Sequence, residues 1–269
     1  MNFLMVFAIE RTFWKTIIGV KFVEKDTVLL SLYKKLVEVK LESLLAKQLM
    51  LTKSYVGNLY GNNQFKLMVV GRAVNGWKND LQSSYTVEQI VEHVFNIQFN
   101  FNCIVDYSRT SDGEYNFRRS AFWQLIKRVL ELYGESEPDK WYDDEKNWQE
   151  KIVWSNLYKV SPVAGGNPDE KLQKETYEIS AEILAREVEL YRPTHILFIT
   201  GEDWFYYPKW KGYFNDKLDF KGTFLDDKFI CGIGRIGDVK AIVCKRPERI
   251  NRMEMALAIK EQFENSRKS

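Results

Sequence analysis

Residues 232–237 read GIGRIG, the spacing of a dinucleotide-binding glycine loop, which holds a pyrophosphate on backbone amides at a helix N-terminus. The residues that follow, DVKAIVC, have a strand pattern where that helix must begin, so the glycines predict a hairpin turn instead. The sequence has two histidines. His93 lies within a helical pattern between Glu92 and Val94, and His195 opens an apolar run; both read as packed residues rather than as a general base or metal ligand. Cys103, Cys231 and Cys244 contain no C-x-x-C pair, which excludes a four-thiolate cluster or zinc ribbon and suggests no disulfide framework. A G-x-S-x-G nucleophile motif is absent. The acidic run Asp143, Asp144 and Glu145 reads as a solvated helix start or loop. Arg118, Arg119, Lys127 and Arg128, interleaved with Phe122 and Trp123, form either a basic aromatic face for phosphates or a helix surface with the aromatics packed beneath it.

These residues sit on a regular alternation of elements. Residues 28–50 carry apolar side chains at threes and fours, the pattern of an amphipathic helix. KLMVVG (66–71) is a short β-branched run that ends in glycine and feeds the loop GRAVNGW (71–77). Thr86 can cap a helix over VEQIVEHVF, and a polar loop at 108–116 precedes the helix FRRSAFWQLIKRVLEL. KIVWSN (151–156) is a second strand. Asp169 opens a long helix that Pro193 terminates. THILFITG (194–201) repeats the pattern of strand then glycine, and DVKAIVCKRP leads to the helix NRMEMALAIKEQF. The aromatic-rich stretch 204–224 reads as a folded surface insertion. Four apolar strands alternating with helices predict an α/β chain with a mostly parallel sheet covered on both faces, and ligands at the carboxyl ends of the strands.

With 269 residues and no Pro/Ser/Gly linker, the expectation is a single domain: an N-terminal helical extension (1–60), a core (65–250) and a C-terminal helix (251–269). The 39 basic and 37 acidic residues argue against disorder and against a globally basic, nucleic-acid-coating surface. The amino terminus is apolar for about eight residues before Glu10 and Arg11, without the basic lead and cleavage site of a signal peptide. No run reaches the ~18 apolar residues of a membrane span. A cytoplasmic monomer with no membrane association is therefore expected.

Taken together, the strand ends GRAVNGW, NLYKVSP, GEDWF and KRPERI resemble those of the uracil-DNA glycosylase superfamily. The strongest stretch is 151–201, where IVWSNLYKVSP, a G-x-N-P turn, a helix and LYRPTHILFITG are similar to that superfamily's second strand, asparagine turn, third helix and third strand. The resemblance covers about residues 65–250 and rests on the order of its motifs. It implies a three-layer α/β/α sandwich around a central, mostly parallel four-stranded sheet, with a pocket for a base flipped out of DNA. The implied function is hydrolysis of the N-glycosidic bond of a damaged or deaminated base; the alternative is a catalytically inactive module that binds a nucleobase or nucleic acid.

The resemblance also implies roles for individual residues. Such a pocket needs a positioned water, stabilisation of the departing base as an anion, hydrogen bonds to the base edge and phosphate grips. The Asn156 amide offers a donor and an acceptor to a pyrimidine edge, although the same amide can instead brace the turn. Asn75 is the nearest side chain able to orient a water, and Gly71 lets the backbone approach the substrate. Arg72 and Lys159 are expected on phosphate or developing negative charge. Arg246 stands where the superfamily has a histidine before a proline; a guanidinium there can stabilise an anion but cannot act as a titrating acid. The four cysteines of the superfamily's iron–sulfur subgroup are missing, so no cofactor and no metal are implied.

Overall fold

The computed structural model describes residues 26–62, 64–75, 80–96, 117–141 and 146–265. Helix α1 (Thr27–Leu45) begins at Asp26, whose Oδ1 accepts the Leu29 N–H at 2.7 Å. Such a cap satisfies one of the orphan amides of a first helical turn. Leu29, Leu32, Tyr33, Leu36 and Val37 form its buried stripe. The apolar pattern predicts this helix to run to 50, but Lys47 takes a left-handed φ of 56° and the next residues form strand β1 (Leu49–Leu51).

A mixed sheet of seven strands forms the centre. Strands β3 (Leu67–Gly71), β4 (Ile152–Asn156), β6 (His195–Phe198) and β9 (Val239–Cys244) pair in parallel as β4–β3, β3–β6 and β6–β9. Three antiparallel pairings extend it: β2 (Tyr55–Val56) on β4, and β8 (Ile230–Ile236) between β9 and β7 (Phe220–Phe224). A separate antiparallel pair joins β1 to β5 (Val160–Pro162). The α/β class is therefore the expected one, whereas the sheet is larger and more mixed than the four strands anticipated. The segment expected as a helical extension also contributes two short strands.

Every residue of β3 and β4 is buried, because helices cover both faces. On one face, Leu67, Val69, Ile152, Trp154 and Ile242 meet Trp123, Ile126 and Leu130 of α3 (Ala121–Leu132) and Ile259 and Phe263 of the last helix, Arg252–Asn265. On the other, Met68, Val70, Val153, Phe198 and Val243 meet Tyr177, Ala181 and Leu184 of α4 (Glu170–Tyr191). Helix α4 ends at Arg192, left-handed with φ 47°, immediately before Pro193. Helices α1 and α2 (Val87–Asn96) add a third apolar cluster with Ile183 of α4.

Residues 232–236 of GIGRIG belong to strand β8, and its last residue, Gly237 with φ 55°, stands in the hairpin turn into β9, so the expected hairpin forms but the turn takes up only the end of the motif. Its glycines are steric. A methyl group at Gly232 would fall 2.0 Å from the Tyr206 hydroxyl, and one at Gly234 2.4 Å from the Lys221 carbonyl. The stretch 204–224 is not a surface insertion throughout: Phe205, Tyr206 and Phe214 are buried in the α4-side cluster, and its last residues form β7. His195 packs its ring against Phe65 and Phe263, as expected, whereas His93 is partly exposed and meets Asp80 at 2.9 Å on the surface. Among the described residues, no helix is long and apolar enough to cross a membrane. Cys103 and the acidic run 143–145 lie outside the described residues.

Candidate functional site

The parallel register places Gly71 beside Asn156 at the carboxyl ends of β3 and β4. Two backbone bonds lock the loops that follow: Leu157 N–H to the Gly71 carbonyl at 2.9 Å, and Tyr158 N–H to the Arg72 carbonyl at 3.0 Å. A methyl group at position 71 would come within 2.6 Å of Asn156 Oδ1 and 3.5 Å of the Phe122 ring. Glycine is therefore required for the Asn156 amide and the first aromatic of α3 to approach this strand end together. Asn156 is only 4% exposed, and its side-chain amide has no hydrogen-bond partner among the described residues. A bound ligand with matching polar atoms would find both the donor and the acceptor of this amide unengaged by the protein.

Arg72 leads away from Gly71 toward the ends of β6 and β9. Its Nε donates to the Thr200 carbonyl at 2.6 Å, and its guanidinium lies 4.9 Å from the centre of the Trp204 ring. Gly201, φ 77°, leaves room for this side chain: a methyl group there would sit 3.1 Å from Arg72 Nη2 and 3.8 Å from Arg246 Cγ. Burial and the like charge of Arg246 push the Arg72 pKa down to about 10, against the opposing pull of Glu248 and Asp203. It remains a cation at neutral pH. Arg246 grips Glu248 with Nε at 3.1 Å from both carboxylate oxygens and with Nη2 on Oε1. Burial raises the Glu248 carboxyl, but the Arg246 hydrogen bonds and charge outweigh it and hold the group below the ordinary carboxylate value.

The other two expected residues lead elsewhere. Asn75 is exposed, and its Oδ1 accepts the Gly166 N–H at 2.5 Å, tying the first loop to the glycine turn after β5. That carbonyl is therefore engaged with backbone rather than free to orient a water. Lys159 is not a phosphate contact. It is 1% exposed, and its ammonium reaches Ser155 Oγ at 2.5 Å, the Asn156 carbonyl at 2.8 Å and Glu187 Oε2 at 2.8 Å. Burial lowers its pKa and Glu187 opposes that shift. Ser155 beside Lys159 has the composition of a nucleophile–base pair, yet Ser155 is 2% exposed and faces α4, away from the Phe122 side. The network braces β4 against α4.

The structure therefore places Gly71, Arg72, Asn156 and Arg246 at the carboxyl end of the sheet, where the sequence analysis expects them. Sequence reasoning missed Phe122 as a site residue, along with the Thr200 carbonyl, Trp204 and Glu248. Glu248 had a signal, two residues beyond Arg246 in KRPERI; a backbone acceptor such as Thr200 had none. Lys127, read as part of either a basic face or a helix surface over packed aromatics, is buried against Glu131, Ser136 and the Glu137 carbonyl. Among the described residues, no group of three or more His, Cys, Asp or Glu side chains is placed to hold a metal ion. Cys231 and Cys244 are free thiols, and burial pushes Cys231 up to about 11, which disfavours the reactive thiolate. No protein-family model matches this sequence, and no curated protein matches it either.

Proposed function

We propose that the chain recognises a nucleobase at the carboxyl ends of β3 and β4, on a three-layer α/β/α scaffold of uracil-DNA glycosylase type with four parallel strands at its centre. The observation that carries the reading is the Asn156 amide, nearly buried and without a partner beside Gly71 and the Phe122 ring. A planar amide presents one donor and one acceptor side by side, the pattern that complements the edge of a pyrimidine. An aromatic ring close by offers a stacking surface for the same base. The parallel pairings of β4, β3, β6 and β9, and their burial on both faces, support the scaffold.

Binding without hydrolysis is the reading that the site geometry favours. The Asn75 carbonyl is taken by Gly166, and Arg246 is paired with Glu248, so neither expected catalytic side chain is free for its part. Hydrolysis of an N-glycosidic bond is the second reading. It is favoured by the two guanidinia of Arg72 and Arg246 near one strand end, where positive charge would stabilise a departing anionic base. Titration calorimetry with free uracil and hypoxanthine, and with oligonucleotides that contain them, tests both readings. Asn156→Ala should abolish binding while leaving the unfolding transition in place; equal affinity in the variant would sink the proposal. Abasic-site formation by wild type, lost in Arg246→Ala, would establish the hydrolytic reading.

A further inference from the structure

A cleft of about 740 Å³ lies between the start of α3 and the residues leading into the last helix, Arg252–Asn265. That volume lies within the ~300–1,000 Å³ of ordinary ligand sites. Four of its walls are arginines, Arg118, Arg128, Arg249 and Arg252; Trp141 and Gln124 also line it, and no carboxylate does among the described residues.

The arginines differ in how far the protein already satisfies them. Arg128 is held by Glu131 at 2.6 Å and Asp139 at 3.1 Å, so much of its charge is neutralised. Arg249 is exposed, takes a left-handed φ of 62°, and has no carboxylate or carbonyl partner among the described residues. Arg252 donates Nη1 to the Ile250 carbonyl at 3.1 Å, while its Nε is buried with no acceptor. Two guanidinia that line one concavity with no counter-ion leave a positive field and unused fork donors. A phosphate satisfies both, because its oxygens match the guanidinium geometry and carry the opposite charge.

We propose that this cleft holds the internucleotide phosphates of a single nucleic-acid strand. The inference rests on the nucleobase reading for its direction, because the same two segments carry both features. Phe122 stands at Gly71 between Arg118 and Gln124 in sequence, and Arg246 and Glu248 lead directly into Arg249. A strand whose base enters beside Asn156 would lay its neighbouring phosphates across the arginines.

The test is fluorescence anisotropy with the full chain and two labelled single-stranded probes, an oligothymidylate and a base-free tetrahydrofuran phosphodiester of equal length, across a series of salt concentrations. Wild type should bind both probes. Arg249→Gly, which suits the left-handed backbone, and Arg252→Gln should each weaken binding to both by about 5- to 30-fold and flatten the salt slope by about one. Asn156→Ala should leave the base-free probe unaffected, so a failure of the nucleobase reading and a failure of the cleft are told apart. Unchanged affinity and slope in both arginine variants would overturn the proposal, as would no binding by wild type. Arginine-dependent capture of polyglutamate with equal affinity would reassign the cleft to an acidic peptide. Full competition by a mononucleotide at matched phosphate concentration would reassign it to a terminal phosphate.

Discussion

Gly71 and Asn156 are register partners in a parallel pair, and the side-chain oxygen of Asn156 occupies the space that a Cβ on residue 71 would need, 2.6 Å away. The obstacle is the end of a rotatable side chain rather than backbone, so Gly71→Ala should displace the Asn156 amide without unfolding the sheet. We expect a loss of at least about tenfold in binding of a uracil-containing oligonucleotide, equivalent to about 1.4 kcal/mol, with a small change in Tm. Titration calorimetry and thermal unfolding on the same samples check this. A drop in Tm with affinity intact would show that position 71 serves the fold alone.

Lys159 and Glu187 form an ion pair at 2.8 Å in which both residues are almost wholly excluded from solvent. Glu187 Oε1 already has no partner, so removing the ammonium strands a buried carboxylate. Lys159→Met should cost about 3–5 kcal/mol, whereas the double variant Lys159→Met, Glu187→Leu should recover most of it, because an apolar pair of similar volume avoids the desolvation of both charges. Urea unfolding of the two singles and the double measures the coupling. Additive losses would mean that the pair does not act as a unit.

The contrast between Asn156 and Lys159 shows what the sequence could and could not convey. Both follow the apolar run of β4, and both are polar residues near a strand end. Alternation along a strand sends Ser155 and Asn156 to opposite faces, so Asn156 lies on the Phe122 side of the sheet while Ser155 meets Glu187. The Lys159 ammonium then reaches back along the chain to Ser155 and the Asn156 carbonyl. Its direction depends on Glu187, 28 residues downstream on α4, a long-range pairing that no local pattern encodes. Strands β3, β4, β6 and β9 were legible because β-branched runs ending in turn residues are a local signal. Strands β7 and β8 were not, because the glycines of β8 are dictated by Tyr206 and by the β7 backbone, and resemble a loop when read alone. The left-handed Lys47 that ends α1 early lies inside a continuous apolar periodicity, and only the pairing of β1 with β5 explains the change.

Tyr206 supplies a third prediction. Its hydroxyl is buried without a hydrogen-bond partner and lies where a Cβ on Gly232 would fall, 2.0 Å away. Gly232→Ala should destabilise by about 1–3 kcal/mol through overpacking. Tyr206→Phe removes an unsatisfied polar atom and should be neutral or slightly stabilising. Combined, the two should recover part of the loss, since removing the oxygen leaves Tyr206 Cζ as the nearest obstacle, at 2.9 Å. Chemical denaturation of the three variants decides the matter; a double variant as unstable as the sum of the singles would place the strain in the β8 backbone instead.

Asp26 has two tasks at the start of α1, and acid should separate them. Its Oδ1 caps the helix through the Leu29 N–H, and Oδ2 meets Arg186 Nη2 of α4 at 2.5 Å. The Arg186 hydrogen bond, then the Leu29 N–H, hold the carboxyl below its ordinary pKa. Because the unfolded chain binds this proton more readily, the stabilisation is fully present above the ordinary carboxylate pKa of about 3.9 and is lost as pH falls through the lower, folded value. Asp26→Asn keeps a capping oxygen but not the charge, so it should lower stability at neutral pH and converge on wild type in acid. Asp26→Ala should lose about 1 kcal/mol more than Asp26→Asn at every pH at which the chain is folded, because the cap goes as well. Urea midpoints measured from neutral pH into the acid range give both comparisons. Parallel curves for Asp26→Asn and wild type would show that the Arg186 pair contributes nothing to the acid response.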